Sequence, residues 1–74
     1  TGYTLSFAAL AQEAAARALA QQVTIDGEHP RVVPSSVAGT PIYRVVMGPY
    51  RTREEAEKRG RASGRDFWVY SGAP

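Results

Sequence analysis

Few side chains in this sequence of 74 residues are suited to catalysis. His29 is the only histidine, and it sits beside Pro30 with no cysteine and no convincing serine partner. The nucleophile, base and orienting group of acyl transfer therefore have no source. Glu13, Glu28, Glu54, Glu55 and Glu57 could in principle supply the paired carboxylates of glycoside hydrolysis. Glu13, however, opens one helical stretch, and Glu54, Glu55 and Glu57 fall on another. Gly48-Pro49 is not a phosphate loop, because the GxxxxGK[ST] pattern is missing. No cluster of metal-ligating residues is present, so neither a metal nor a cofactor is expected. What remains is binding chemistry. Trp68 and Tyr70 offer flat faces that can stack on sugar C–H surfaces or nucleobases. Arg44 offers a planar donor fork, and Thr4 and Ser6 offer hydroxyls. We expect a non-enzyme.

These residues act together only if the chain places them on one surface. Tyr3–Phe7 (YTLSF) alternates apolar and polar residues, as a strand with one buried face does. Eight of the thirteen residues from Ala8 to Ala20 are alanine, which predicts a helix over Ala11–Gln22. Ala16, Leu19, Ala20 and Val23 form its apolar stripe. Asp26-Gly27 marks a turn. His29–Pro34 reads as a strand of about four residues, limited by proline at both ends and suited to a sheet edge. Ser35–Thr40 reads as a loop of small residues. Ile42–Met47 (IYRVVM) is a strand that Gly48-Pro49-Tyr50 breaks. Thr52–Glu55 is a capping box that starts a helix over about Arg53–Ala62. Gly60 lies inside that helix at a cost of about 1 kcal/mol relative to alanine. Phe67–Tyr70 (FWVY) is the last strand.

The order is β-α-β-β-α-β. A shift of 40 residues superimposes Tyr3 on Tyr43, Leu5 on Val45, Phe7 on Met47, Leu10 on Tyr50 and Ala16 on Ala56. Two such pseudo-repeats, about 3–34 and 43–71, predict an α+β fold of the split-βαβ (ferredoxin/RNP-like) type. It has an antiparallel four-stranded sheet with both helices on one face. Residues 1–74 are read as a single domain, and the lack of an initiator Met leads us to expect a fragment of a longer protein. No apolar run approaches the roughly 20 residues of a membrane helix, so membrane contact is expected only through an anchor upstream.

Two helices cover one side of such a sheet. Tyr3, Leu5, Phe7, Tyr43, Val45, Met47, Phe67 and Val69 belong to the covered side. Pleat parity turns Thr4, Ser6, Arg31, Val33, Ile42, Arg44, Val46, Trp68 and Tyr70 the other way. An apolar-aromatic patch of this kind, rimmed by polar groups, marks a recognition surface. Net charge is +2, with eight of nine basic residues arginine and seven of the nine in the second half. Glu54, Glu55, Glu57 and Asp66 are interleaved with them, as on a solvated helix face carrying pairs such as Glu54–Lys58 and Glu57–Arg61. That dilutes the field a nucleic-acid footprint would show, so nucleic acid is not the expected partner. A module stacking single-stranded RNA on this face, and one hiding it by protein interaction or dimerisation, stand as alternatives.

The residues also resemble a known family. YTLSFAAL followed by an alanine-rich helix is similar to the opening of SPOR domains, the sporulation-related repeat of bacterial envelope proteins. Tyr43–Tyr50 (YRVVMGPY) followed by RTREEA is close to that family's second motif. The resemblance implies a βαββαβ module that binds peptidoglycan glycan strands stripped of stem peptides, at the septum or cell wall. It implies a location in the bacterial cell envelope or periplasm. The parent protein would be a division protein, an amidase or a lytic transglycosylase, so a hydrolase domain could lie elsewhere in it. The family's ligand surface is the uncovered sheet face, which implies ligand contacts at Ser6, Ile42, Arg44, Val46 and Trp68, joined by parity with Thr4 and Tyr70. This sequence departs from the pattern at Ser6, where glutamine is common, and at Ala8-Ala9, which replace Gly-Ser. Arg59 also stands where the second helix usually has an apolar residue.

Overall fold

Strands and helices follow the β-α-β-β-α-β order that the patterning requires. They are β1 (Tyr3–Leu10), α1 (Glu13–Gln22), β2 (Arg31–Val37), β3 (Thr40–Tyr50), α2 (Arg53–Ala62) and β4 (Trp68–Ser71), in a computed structural model that describes residues 2–72. The fold is the expected α+β split-βαβ arrangement. Its sheet is antiparallel with order β2-β3-β1-β4, so the first strand of each half is central and the last is an edge.

The helices lie close to the sheet because their inner residues are small. Ala16 and Ala20 of α1 and Ala56 of α2 are buried, and the core they help enclose contains Leu5, Phe7, Val23, Ile25, Val45 and Met47. Gly60 belongs to the same logic. A Cβ at that position would come within 2.5 Å of the Phe67 ring, which packs against the core. The glycine that weakens α2 as a helix is what lets the ring in.

Several local devices fix the two halves. At the start of α2 the Glu55 amide donates to Thr52 Oγ1 at 3.1 Å, as the capping box predicts. The Glu55 carboxylate accepts from the amide of Arg51 (3.4 Å), one residue earlier than that motif would have it. Arg59 ion-pairs with Asp26 in the turn after α1, which explains a charged residue at a position facing the other half. Arg53 stands over the Tyr3 ring, 5.4 Å from its centroid, and donates to the Val69 carbonyl. Among the described residues the other ion pair is Arg17–Glu13 within α1; the expected Glu54–Lys58 and Glu57–Arg61 pairs do not form.

Three expectations about boundaries need correction. Helix α1 begins at Glu13 rather than Ala11, because β1 continues through Leu10. Gly48-Pro49-Tyr50 does not break β3. The strand runs on to Tyr50 through a cis Gly48–Pro49 peptide, and the β1 register shifts opposite it. Gly48 has φ of +111°, a conformation open to glycine, and a Cβ there would lie only 3.0 Å from Tyr3 O. Finally, Ser35–Thr40 is not a loop. Strand β2 runs seven residues to Val37 and turns through Ala38-Gly39 directly into β3. Both turn residues have positive φ (51° and 80°), the signature of a two-residue type I′ hairpin.

Candidate functional site

Register sorts the outward side chains into rows. Arg31, Val46, Ser6 and Trp68 are successive partners across β2, β3, β1 and β4. Thr4 lies beside Tyr70 on one side of that row. On the other side come Val33, Arg44 and Ala9, and beyond them Ser35 and Ile42. The seven residues singled out from the sequence thus share one face of one sheet. They do not share one environment.

Thr4, Ser6 and Val46 have no exposed surface, although no helix covers them. Val46 lies outside the cluster that α1 and its sheet neighbours form, which places its burial on the opposite side. Short side chains in the middle of the sheet stand between longer ones on each flank, which close over them and shut them off from water. Cross-strand neighbours about 5 Å apart suffice to exclude water from them. Ile42, Arg44 and Tyr70 are half-buried, and Trp68 keeps 47% of its surface exposed. Trp68, Tyr70, Arg44 and Ile42 therefore form the accessible part, above a recessed floor of Thr4, Ser6 and Val46.

The polar groups on this face differ in what they are free to do. Thr4 Oγ1 donates to the Gly72 carbonyl at 2.6 Å, so it ties down the chain after β4. Arg31 donates to the Gly48 carbonyl at 2.8 Å. It helps line an end groove of about 330 Å³ that also touches Glu28, His29, Val46 and Tyr50. Burial raises the Tyr50 phenol pKa above its usual value there. Arg59 pulls in the opposite direction, and Glu28 and Glu55 add to the rise. Ser6 Oγ is buried with no hydrogen-bond partner among the described residues. An orphaned hydroxyl costs about 1–3 kcal/mol, and such groups mark places that need another explanation.

His29 is occupied structurally, its Nδ1 lying 2.7 Å from the Val23 carbonyl. A carbonyl can only accept, so Nδ1 carries the hydrogen. Among the described residues no group of three His, Asp or Glu side chains converges as metal ligands would. The arrangement offers stacking, hydrogen bonding and apolar contact.

Sequence reasoning missed four outward residues. Ala9 reaches this face because the register slips between Ser6 and Ala8, so that Phe7 and Ala8 both turn toward the core. No glycine or proline announced that bulge. Ser35, Val37 and Thr40 reach it because the hairpin replaces the expected loop. Ala38-Gly39 is a weaker signal than the Asn-Gly or Asp-Gly pairs such turns favour.

The family model described as SPOR domain matches residues 1–70 of the chain. No curated protein and no solved structure matches it.

Proposed function

Because the chain belongs to the SPOR family, whose domains bind peptidoglycan and are not catalytic, we propose that it is a module that holds glycan strands lacking stem peptides on the open face of its sheet. In doing so it carries its parent protein to the septum or cell wall of the bacterial envelope. The observation that carries this reading is the open face itself. Trp68 presents its ring on that face, which it shares with the half-buried Tyr70, Arg44 and Ile42. A sugar ring has an apolar C–H side and a hydroxylated edge, and both find complements here. Trp68 and Tyr70 take the C–H side, while Arg44 meets the edge and Ser6 lies closed beneath them. Thr4, already bonded within the chain, shapes the floor, and Ile42 and Val46 supply its apolar part.

The arrangement of charge favours sugar over RNA. Arg53, Lys58, Arg59 and Arg61 lie on α2. Among the described residues the open face keeps Arg31 and Arg44, and Arg31 is engaged with Gly48. A nucleic-acid surface would concentrate its cations where the bases stack.

Co-sedimentation with amidase-treated cell-wall sacculi tests the proposal. The chain is expected to bind them, and Trp68→Ala to lower affinity at least about tenfold, or 1.4 kcal/mol, as loss of a tryptophan anchor does. Equal binding by Trp68→Ala, or no binding by the parent sequence, overturns it.

A further inference from the structure

The outward side of the β2–β3 hairpin continues the open face beyond the sheet that β1 helps form. Pairing between β2 and β3 runs without interruption from Arg31–Val46 to Val37–Thr40. Strand β1, in contrast, ends its pairing at Leu10–Tyr43. Beyond that point the hairpin is a two-stranded arm. Unbroken register puts Val33, Ser35, Val37, Thr40 and Ile42 on the same side as Arg44, Val46 and Trp68.

The two sides of the arm are unlike. The outward side carries Ser35, Val37, Thr40 and Ile42, with Ser35 and Ile42 half-buried. Past the half-buried Tyr43, the side turned toward the helix layer carries Ser36 and Pro41, both exposed. An arm serving only to extend the core would have the opposite polarity. The exposed large apolar side chains of the described residues are Val37, at 55%, and Trp68, at 47%. They come from distant parts of the sequence, yet both stand on the open face, one at the arm's tip and one on the far edge strand. From Arg31 to Val37 the strand spans roughly 20 Å, far more than one sugar ring needs.

We propose that the arm is a second subsite for the same linear glycan, with Val37 packing on a sugar face and Ser35 and Thr40 bonding its hydroxyls, so that affinity depends on chain length. The inference rests on the glycan reading above. A linear polymer is the occupant that fits, because it can lie on the Trp68 face and the arm at once. The second contact is then made at high effective concentration.

The test is a titration of the chain and of its Val37→Ala variant with a single denuded disaccharide and with long denuded oligomers, followed by Trp68 fluorescence or calorimetry. Val37 is exposed, so the variant is expected to keep its fold, which thermal melting checks. Wild-type affinity is expected to rise with oligomer length. Val37→Ala should weaken long oligomers about fourfold, the equivalent of one methylene removed from contact, and leave the disaccharide unchanged. A companion Thr40→Ala should act in the same direction. Affinity independent of length, or a Val37→Ala effect equal for short and long glycans, or absent from both, overturns the arm subsite and leaves the sheet site standing. Failure of the parent sequence to bind at any length overturns the glycan reading itself.

Discussion

The two faces of this sheet bury their side chains by different means. On the helix side Leu5, Val45 and Met47 are covered by α1 and α2, whose alanines and Gly60 allow close approach. Their burial is large, apolar and shared among many partners. On the open side Thr4, Ser6 and Val46 are just as inaccessible, but only because taller neighbours flank them. One face is closed by a second layer and is finished. The other is closed only at its floor, keeps its tryptophan at the rim, and leaves a hydroxyl without a partner. Burial alone does not separate core from binding surface; what does the covering separates them.

The strongest way to break this contrast is to truncate each face in turn. Leu5→Ala removes a fully buried side chain beneath the helices, at a cost of about 3 kcal/mol. A domain of this size holds only about 3–5 kcal/mol in all, so chemical denaturation should find the variant largely unfolded. Trp68→Ala should instead melt near the parent sequence while losing sugar. If both variants lost stability equally, the open face would be a second core.

Gly60→Ala sharpens the account of the covered side. The added methyl improves the helix by about 1 kcal/mol but strikes the Phe67 ring, an overpacking that costs about 1–3 kcal/mol. A net fall in stability is expected by denaturant titration. A rise would mean that the ring moves aside freely.

Ser6→Ala is the smallest change and the most discriminating on the open side. It deletes the orphaned hydroxyl, so stability should rise by about 1 kcal/mol while glycan affinity, which the closed side chain does not touch, stays unchanged. A fall in stability would mean that the hydroxyl serves the fold.

Much of the fold was legible because the strongest local signals agreed with one another. Alternation in YTLSF and IYRVVM, the alanine stripe of α1 and the Thr52 cap all point to one β-α-β-β-α-β arrangement, and each has a local physical cause. Side-chain parity told inward from outward residues for the same reason. It failed at Ala9, where a bulge resets the alternation without a sequence marker. It could not be applied to Ser35–Thr40, where Pro34, two serines and an Ala-Gly turn masked a hairpin that tertiary pairing with Ile42 and Tyr43 sustains. The recessed state of Thr4, Ser6 and Val46 was also out of reach. It depends on the heights of neighbours brought together from four strands, information that no single stretch carries. Arg59 taught the converse lesson, since its partner Asp26 lies 33 residues away in the other half.

The most direct test of the central claim is a chemical-shift map of the isotopically labelled chain titrated with denuded glycan. The account predicts that the Trp68 indole signal and the outward residues of β1, β3 and β4 shift together, with Arg44, Ile42 and Tyr70 among the largest, while α1 and α2 stay still. Shifts gathered on the arginine-rich surface of α2, with Trp68 unmoved, would contradict it.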